Sequence, residues 1–179
     1  AGELKAMLKR GERHTPLIVL RAVRGNRQAY KPIVSTLCEG SDPVTVARAL
    51  TAHCATQRLY AADLVALTGS APQLPVLRRL LEALPELELW LDAGFADAGA
   101  AQALRHELGG LAARVVPVFA SESLQSPAAL RACFASPDAG VLSLDRRDGQ
   151  RLDAAGAWET PAAWPRRVIV MTLERVGAD

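Results

Sequence analysis

LELWLDAGFADAGAAQALRHELGGLAARVVPVFASE, residues 87–122, contains a complete strand, helix and second strand. Its first run, Leu87 to Asp92, is short, mostly apolar and ends at a carboxylate. Such near-continuous apolar character marks a strand covered on both faces. Asp97 then opens a helix that turns Ala101, Leu104 and Leu108 to one side. Gly109-Gly110 stops it, because glycine adopts the left-handed conformation that a helix end favours. Val115 begins a second apolar run that closes at Glu122. Two such runs joined through a helix by short links imply a right-handed crossover and parallel strands.

The same rhythm extends in both directions. LYAAD ends at Asp63, VLSLD at Asp145 and VIVMTLE at Glu174. A helix opens at Ser41-Asp42-Pro43, a capping residue followed by proline at the first helical position, with Val46, Ala47, Leu50 and Cys54 on one face. Leu74, Leu77, Leu81 and Leu84 share a second helical face that stops at Pro85. Ser126-Pro127 starts another helix, which buries Leu130, Cys133 and Phe134. The expected class is therefore parallel α/β, and in such sheets reactive groups collect at the carboxyl ends of the strands, where these acids stand. No G-x-G-x-x-G follows the first strand, and Gly94 and Gly99 are wrongly spaced for one, so a TIM-type (β/α)8 barrel is favoured over a dinucleotide-binding sheet. About six strand runs are present against the eight of that barrel, so the barrel is expected to be incomplete over this sequence. One domain is expected over residues 1–179. Residues 1–16 read as an amino-terminal helical segment with Leu4, Met7 and Leu8 on one face. Residues 146–166 read as a lid built on a hairpin at Asp148-Gly149.

Composition narrows the function classes. The chain has 179 residues, half of them hydrophobic, and a formal charge of +2. That is enough for one domain with a full core. Arginines and acids are interspersed, so no basic stripe of the nucleic-acid-binding kind stands out. Cys38, Cys54 and Cys133 lack both zinc-site spacing and disulfide pairing and read as reduced, mostly buried thiols. His14, His53 and His106 share no ligand spacing, so no metal and no cofactor is expected. No apolar run approaches the roughly 20 residues of a membrane span, and no leader pattern is evident, so the cytoplasm is the expected compartment. A homo-oligomer is left open.

VLSLDRRDG (141–149), LYAADLVALTG (59–69), LWLDAGFAD (89–97) and LRAVRGNRQAYKPI (20–33) together resemble the barrel isomerases of histidine biosynthesis. Those enzymes open the ribose of an aminoimidazole carboxamide ribotide by an Amadori rearrangement. The R-A-V-R-G-x-R-x-x-Y-x-P-I string is closer still to a branch of that family associated with one-carbon metabolism through methanopterin or methanofuran. The resemblance covers about Leu17 to Asp179 and implies a phosphorylated small-molecule substrate. It makes Asp145 an acid/base group that protonates the sugar ring oxygen, Asp63 an acid lining the pocket, and Thr172 a substrate-facing hydroxyl. It places one phosphate at Gly94 and Ser121, where short residues let an anion approach backbone amides. Arg24, Arg27 and Tyr30 would hold an anionic group or grip the lid.

The departures matter as much. The family's first strand ends in an aspartate that serves as partner base, whereas the region taken as equivalent here, HTPLIVLRAVRG, contains no acid. The family's glycine run after the third strand is reduced to Gly94, and its arginine is replaced by Ala96. A rearrangement of this kind needs one group to donate a proton and another to remove one, and paired carboxyls do this well because their pKa values are pushed apart. Asp145 with Asp63 or Asp92 is the expected pair. For Asp92 and Glu122 the competing reading is an ion pair with Arg24, Arg27 or Arg146. Three functions follow: an isomerase acting on a phosphorylated sugar or sugar-derived intermediate, an enzyme of changed reaction type (a lyase or condensing step) in methanopterin or methanofuran cofactor assembly, or a non-catalytic binding relative.

Overall fold

A computed structural model describes residues 6–9, 18–21, 23, 24 and 26–177 of the chain. Its strands are β1 (Ala6–Lys9), β2 (Ile18–Arg21), β3 (Lys31–Pro32), β4 (Arg58–Asp63), β5 (Glu88–Asp92), β6 (Val115–Ala120), β7 (Val141–Arg147), β8 (Gln150–Arg151) and β9 (Val168–Thr172). They form one sheet in the order β3-β2-β1-β4-β5-β6-β7-β8, with β9 also paired to β7. The pairs β1·β4, β4·β5, β5·β6, β6·β7 and β7·β9 are parallel. The fold is thus mixed α/β around a mostly parallel sheet. Each parallel strand lies beside the parallel strand before it, while β2 and β3 extend the sheet antiparallel on the other side of β1.

The helices are α1 (Pro43–His53), α2 (Leu64–Leu67), α3 (Leu74–Ala83), α4 (Ala98–Leu108) and α5 (Pro127–Cys133). All but α3 start at side-chain caps, which satisfy otherwise orphaned amide groups of the first turn, whereas α3 starts with a proline in its first turn instead. The Thr45 amide donates to Asp42 at 3.0 Å, that of Ala100 to Asp97 at 2.9 Å and that of Ala129 to Ser126 at 3.1 Å. α4 ends at Gly109, as the glycine pair announces, with φ of 58° but ψ of −130°, a glycine conformation other than the left-handed cap expected. α1 buries Val46, Ala47 and Leu50 as its spacing predicts, but Cys54 lies just past the last turn and is exposed.

Strand side chains alternate, and here the alternation separates two environments. Leu59, Ala61, Leu89, Leu91, Phe119, Leu142 and Leu144 join the helix faces, among them Leu77, Leu81, Leu104 and Leu130, in one buried cluster. The intervening positions, including Tyr60, Ala62, Trp90, Asp92, Ser143 and Asp145, point to the other side of the sheet, where Tyr60 and Ala62 belong to a second, smaller cluster.

Three expectations are corrected. Ala6–Lys9 does not extend a helix: it is a strand held between β2 and β4, where Met7 pairs with both Leu20 and Ala62. Pairing on both sides overrides the helical spacing, and the rest of residues 1–16 lies outside the described residues. Ile18–Arg21, within the stretch read as the first parallel strand, runs antiparallel to β1 instead, so β1 itself holds the first parallel position. The segment after residue 151 is no free lid. The β7–β8 hairpin forms, with Asp148 at φ 50° and Gly149 at φ 78° as a tight turn of that kind requires. Beyond it, however, Ala155 and Ala157 are buried in the main core cluster with Trp158 and Trp164 packed against it. Asp153 accepts from the amides of Ala157 at 2.8 Å and Trp158 at 2.9 Å, and the Trp164 indole donates to the Ala157 carbonyl at 2.7 Å. This stretch thus joins the core without an α-helix, its one helical piece being the 3-10 turn Pro161–Ala163.

Gly140, just before β7, is a tight point of that packing: a methyl group there would lie 2.7 Å from the Pro117 carbonyl oxygen. A backbone atom cannot swing aside, so Gly140→Ala is expected to lower stability by about 1–3 kcal/mol, read as a reduced midpoint in urea denaturation with an unchanged slope.

Candidate functional site

The carboxyl ends of β5, β6 and β7 meet at a narrow, partly open pocket, about 390 Å³ counting the solvent at its mouth but with a cavity volume of only about 10 Å³, into which Asp92, Glu122, Asp145, Arg147, Arg27 and Tyr30 project. Ala62, Leu64, Leu67, Met171, Leu173 and Val176 supply its apolar wall. A larger open groove, about 1170 Å³ when its solvent is counted in the same way, lies at the opposite end of β4 and β5, around Thr51, Gln57, Arg58 and Glu88. That groove carries a solvent-exposed Arg58–Glu88 ion pair and no buried titratable group, so the chemistry belongs to the smaller pocket.

Asp145 is its centre. Only 3% of the residue is exposed, and it faces the pocket because it shares the inner lane of β7 with Ser143. The Ser143 hydroxyl donates to its Oδ1 at 2.7 Å, and the Glu122 amide approaches its Oδ2 at 3.4 Å. Its own amide donates to the Ser121 hydroxyl oxygen at 2.9 Å. Burial pushes the Asp145 carboxyl up to about 7, the Ser143 hydrogen bond opposes that rise, and the negative charges of Asp92 and Glu122 add to it. A carboxyl titrating there is matched to proton transfer near neutrality. Asp92, at the end of β5, accepts from the Tyr60 hydroxyl at 2.9 Å and from the Gly94 amide at 3.1 Å. Burial first and Asp92 second hold the Tyr60 hydroxyl well above its usual range, so it stays a proton donor to that carboxylate. Glu122 forms an ion pair with Arg27, one of the alternatives weighed for it, and lines the pocket as well. Tyr30 is likewise raised, mainly by burial, with Arg27 and Arg147 pulling it back.

The pair brought together is Asp145 with Asp92, not Asp145 with Asp63. Asp63 is fully buried and lies one residue out of phase with the inner lane, on the helix side of β4. Its carboxylate accepts from the amides of Val65, Ala66 and Gln73 and from the Gln73 side chain, which makes it the cap of α2 and a tie to the start of α3. Thr172 is out of phase in the same way: in register it faces Arg146, whose guanidinium donates to its hydroxyl at 3.0 Å, while Met171 pairs with Asp145 and lines the pocket. The amides that would hold a phosphate are in use, that of Gly94 to Asp92 and that of Ser121 to the Ser143 carbonyl at 2.8 Å. Of the arginine string, Arg27 and Tyr30 reach the pocket, and Arg24 sits exposed in a turn at φ 44°. Three contributors escape a reading by motif: Tyr60, Ser143 and Arg147. Period-two counting on either side of Asp145 finds Ser143 and Arg147, whereas Tyr60 follows only from the register that pairs β4 with β5, Tyr60 with Trp90 and Ala62 with Asp92.

Comparison of the sequence with protein-family models and with curated proteins gives no match. Among the described residues no cluster of three or more His, Cys, Asp or Glu side chains is placed to hold a metal, and no helix is long and apolar enough to cross a membrane. Burial raises the Cys133 thiol to about 11, which leaves it unreactive near neutrality.

Two stability measurements separate these acids. Asp145 ordinarily ionises at 3.8 and here at about 7, so over that interval the folded chain keeps a proton that the unfolded chain has lost. Its contribution is full below about pH 4, declines by roughly 1.4 kcal/mol per pH unit and is lost once the pH exceeds about 7, in all about 4 kcal/mol. Asp145→Asn should therefore flatten the fall in stability between about pH 4 and 7 and be the more stable protein at about pH 8, by urea denaturation. Asp63→Ala should instead cost about 3 kcal/mol at every pH in that range, because it removes a cap and leaves buried donors of Gln73 unmatched.

Proposed function

We propose that the chain is an acid/base enzyme of the isomerase type, acting on a small phosphorylated sugar or sugar-derived molecule. The observation that carries this reading is the buried Asp145 carboxyl, raised to about 7 and facing the same pocket as Asp92. Two carboxyls whose environments differ divide the work of an aldose-to-ketose shift: protonated Asp145 donates to the ring oxygen or imine, and the second carboxylate accepts the proton from the neighbouring carbon. Asp92, hydrogen-bonded by Tyr60, takes the second role.

The finer fold assignment belongs to the same proposal. The parallel strands, each beside the parallel strand before it, support a barrel of the (β/α)8 type, of which the described strands form part, and with it kinship to the histidine-pathway ribotide isomerases. The cytoplasm is the compartment in keeping with that role. A second reading, a changed reaction in methanopterin or methanofuran assembly, is favoured by β1: its sequence, Ala6-Met7-Leu8-Lys9, offers no carboxylate where the family's partner base stands. Asp92 in that role would be a different base in a different strand, and a different base suits a different proton.

The test is hydrogen exchange. The full chain, incubated in heavy water with the aminoimidazole carboxamide ribotide of the histidine pathway and with simple aldose phosphates, should introduce deuterium beside the carbonyl or imine carbon of at least one of them. Asp145→Asn should slow that exchange by about 10²–10⁴-fold, and the wild-type rate should depend on a group titrating near 7. Absence of exchange with every ribotide and aldose phosphate would remove the isomerase reading and leave the changed-reaction enzyme or the binding relative.

A further inference from the structure

The expected phosphate cradle at Gly94 and Ser121 has spent its amides on Asp92 and Ser143, so an anionic substrate must find its positive partners elsewhere. The pocket supplies them at its other rim. Arg147 projects into it from the end of β7, beside the Asp148-Gly149 turn, and forms no ion pair among the described residues. Arg27 enters from the short helical turn Arg27–Ala29, and Tyr30 follows on the same segment. The Tyr30 hydroxyl senses Arg27, Arg147 and Glu122 together, so these groups crowd one place. Within that group Glu122 is the single anion, and its carboxylate is bound to Arg27.

We propose that Arg27, Arg147 and the Tyr30 hydroxyl form a binding site for a phosphate-type dianion, and that the Glu122 carboxylate fills that site until the dianion displaces it. The proposal rests on the functional reading above for the pocket, but not on any reaction there. Arginine's planar fork suits a phosphate bidentately, and a dianion satisfies two guanidinium groups where the Glu122 monoanion satisfies one. Displacement would also release Glu122 beside Asp145, so that occupancy of the rim alters the charge around the acid/base centre. Asp92, Tyr60, Glu122, Arg27, Arg147 and Tyr30 are the titratable or charged groups facing it.

Calorimetric titration of the full chain with inorganic phosphate, at low salt and about pH 7, tests this. Saturable binding at one site is expected. Arg147→Ala should weaken it about tenfold or more, and Arg147 is exposed enough that the variant should fold. Glu122→Gln, which removes the competing charge and keeps the shape, should tighten it about three- to tenfold. Arg24→Ala, outside the pocket, should bind as the wild type does. An ion pair that serves only the fold gives the opposite pattern: Glu122→Gln binds phosphate no better than wild type, or Arg147→Ala binds it equally well, and either result overturns the proposal. Asp145→Asn separates the two readings, since it should still bind phosphate even if no substrate is ever turned over.

Discussion

The strict two-residue period of the parallel strands is the constraint from which the rest of the molecule follows. In β5, Leu89 and Leu91 are fully buried beneath the helices, whereas Trp90 and Asp92 face the other way. In β7, Leu142 and Leu144 take the first role, and Ser143 and Asp145 the second. One lane holds the helices to the sheet, and the other is free to carry polar groups. Because the strands run in the same direction, the polar groups of the second lane collect at one end. A slip of a single residue in register would exchange the lanes, turning carboxylates into the apolar layer, so pairing and chemistry are specified by the same contacts.

That constraint also explains which parts of the sequence were readable. The helices were legible because caps and stops are local: Asp42-Pro43, Asp97, Ser126-Pro127 and Gly109 each carry their own instruction. The parallel sheet was legible from apolar runs alternating with those helices. What failed was a rule that counted an acid at the end of a run as a pocket acid without asking which lane it occupied. Asp63 follows Leu59 and Ala61 at even spacing, and that parity assigns it to the helix side, where it caps α2. Thr172 follows Val168 and Val170 in the same way. The signal was present in both cases, and Ser143 and Arg147 could have been found by it.

Other features were not legible because they depend on distant partners. Ala6–Lys9 has a spacing compatible with a helix and becomes a strand only because β2 and β4 flank it. The stretch after Arg151 is interrupted by Gly156, Pro161 and Pro165 and forms no α-helix, yet it reaches the core, since Ala155 and Ala157 lie in the core cluster. The rise of the Asp145 pKa likewise arises from burial and from two carboxylates brought close by folding, none of which its neighbours in sequence reveal.

The two margins of the pocket are fastened by unlike means. On the β4 side, Asp63 grips both the first turn of α2 and the start of α3 with short bonds in a water-free setting. Across from it, the turn bearing Arg27 and Tyr30 is joined to Glu122 by a single, partly buried ion pair. The pocket is therefore asymmetric: one margin is a fixed jamb with several bonds into two helices, and the other is only as firm as one pair of charges.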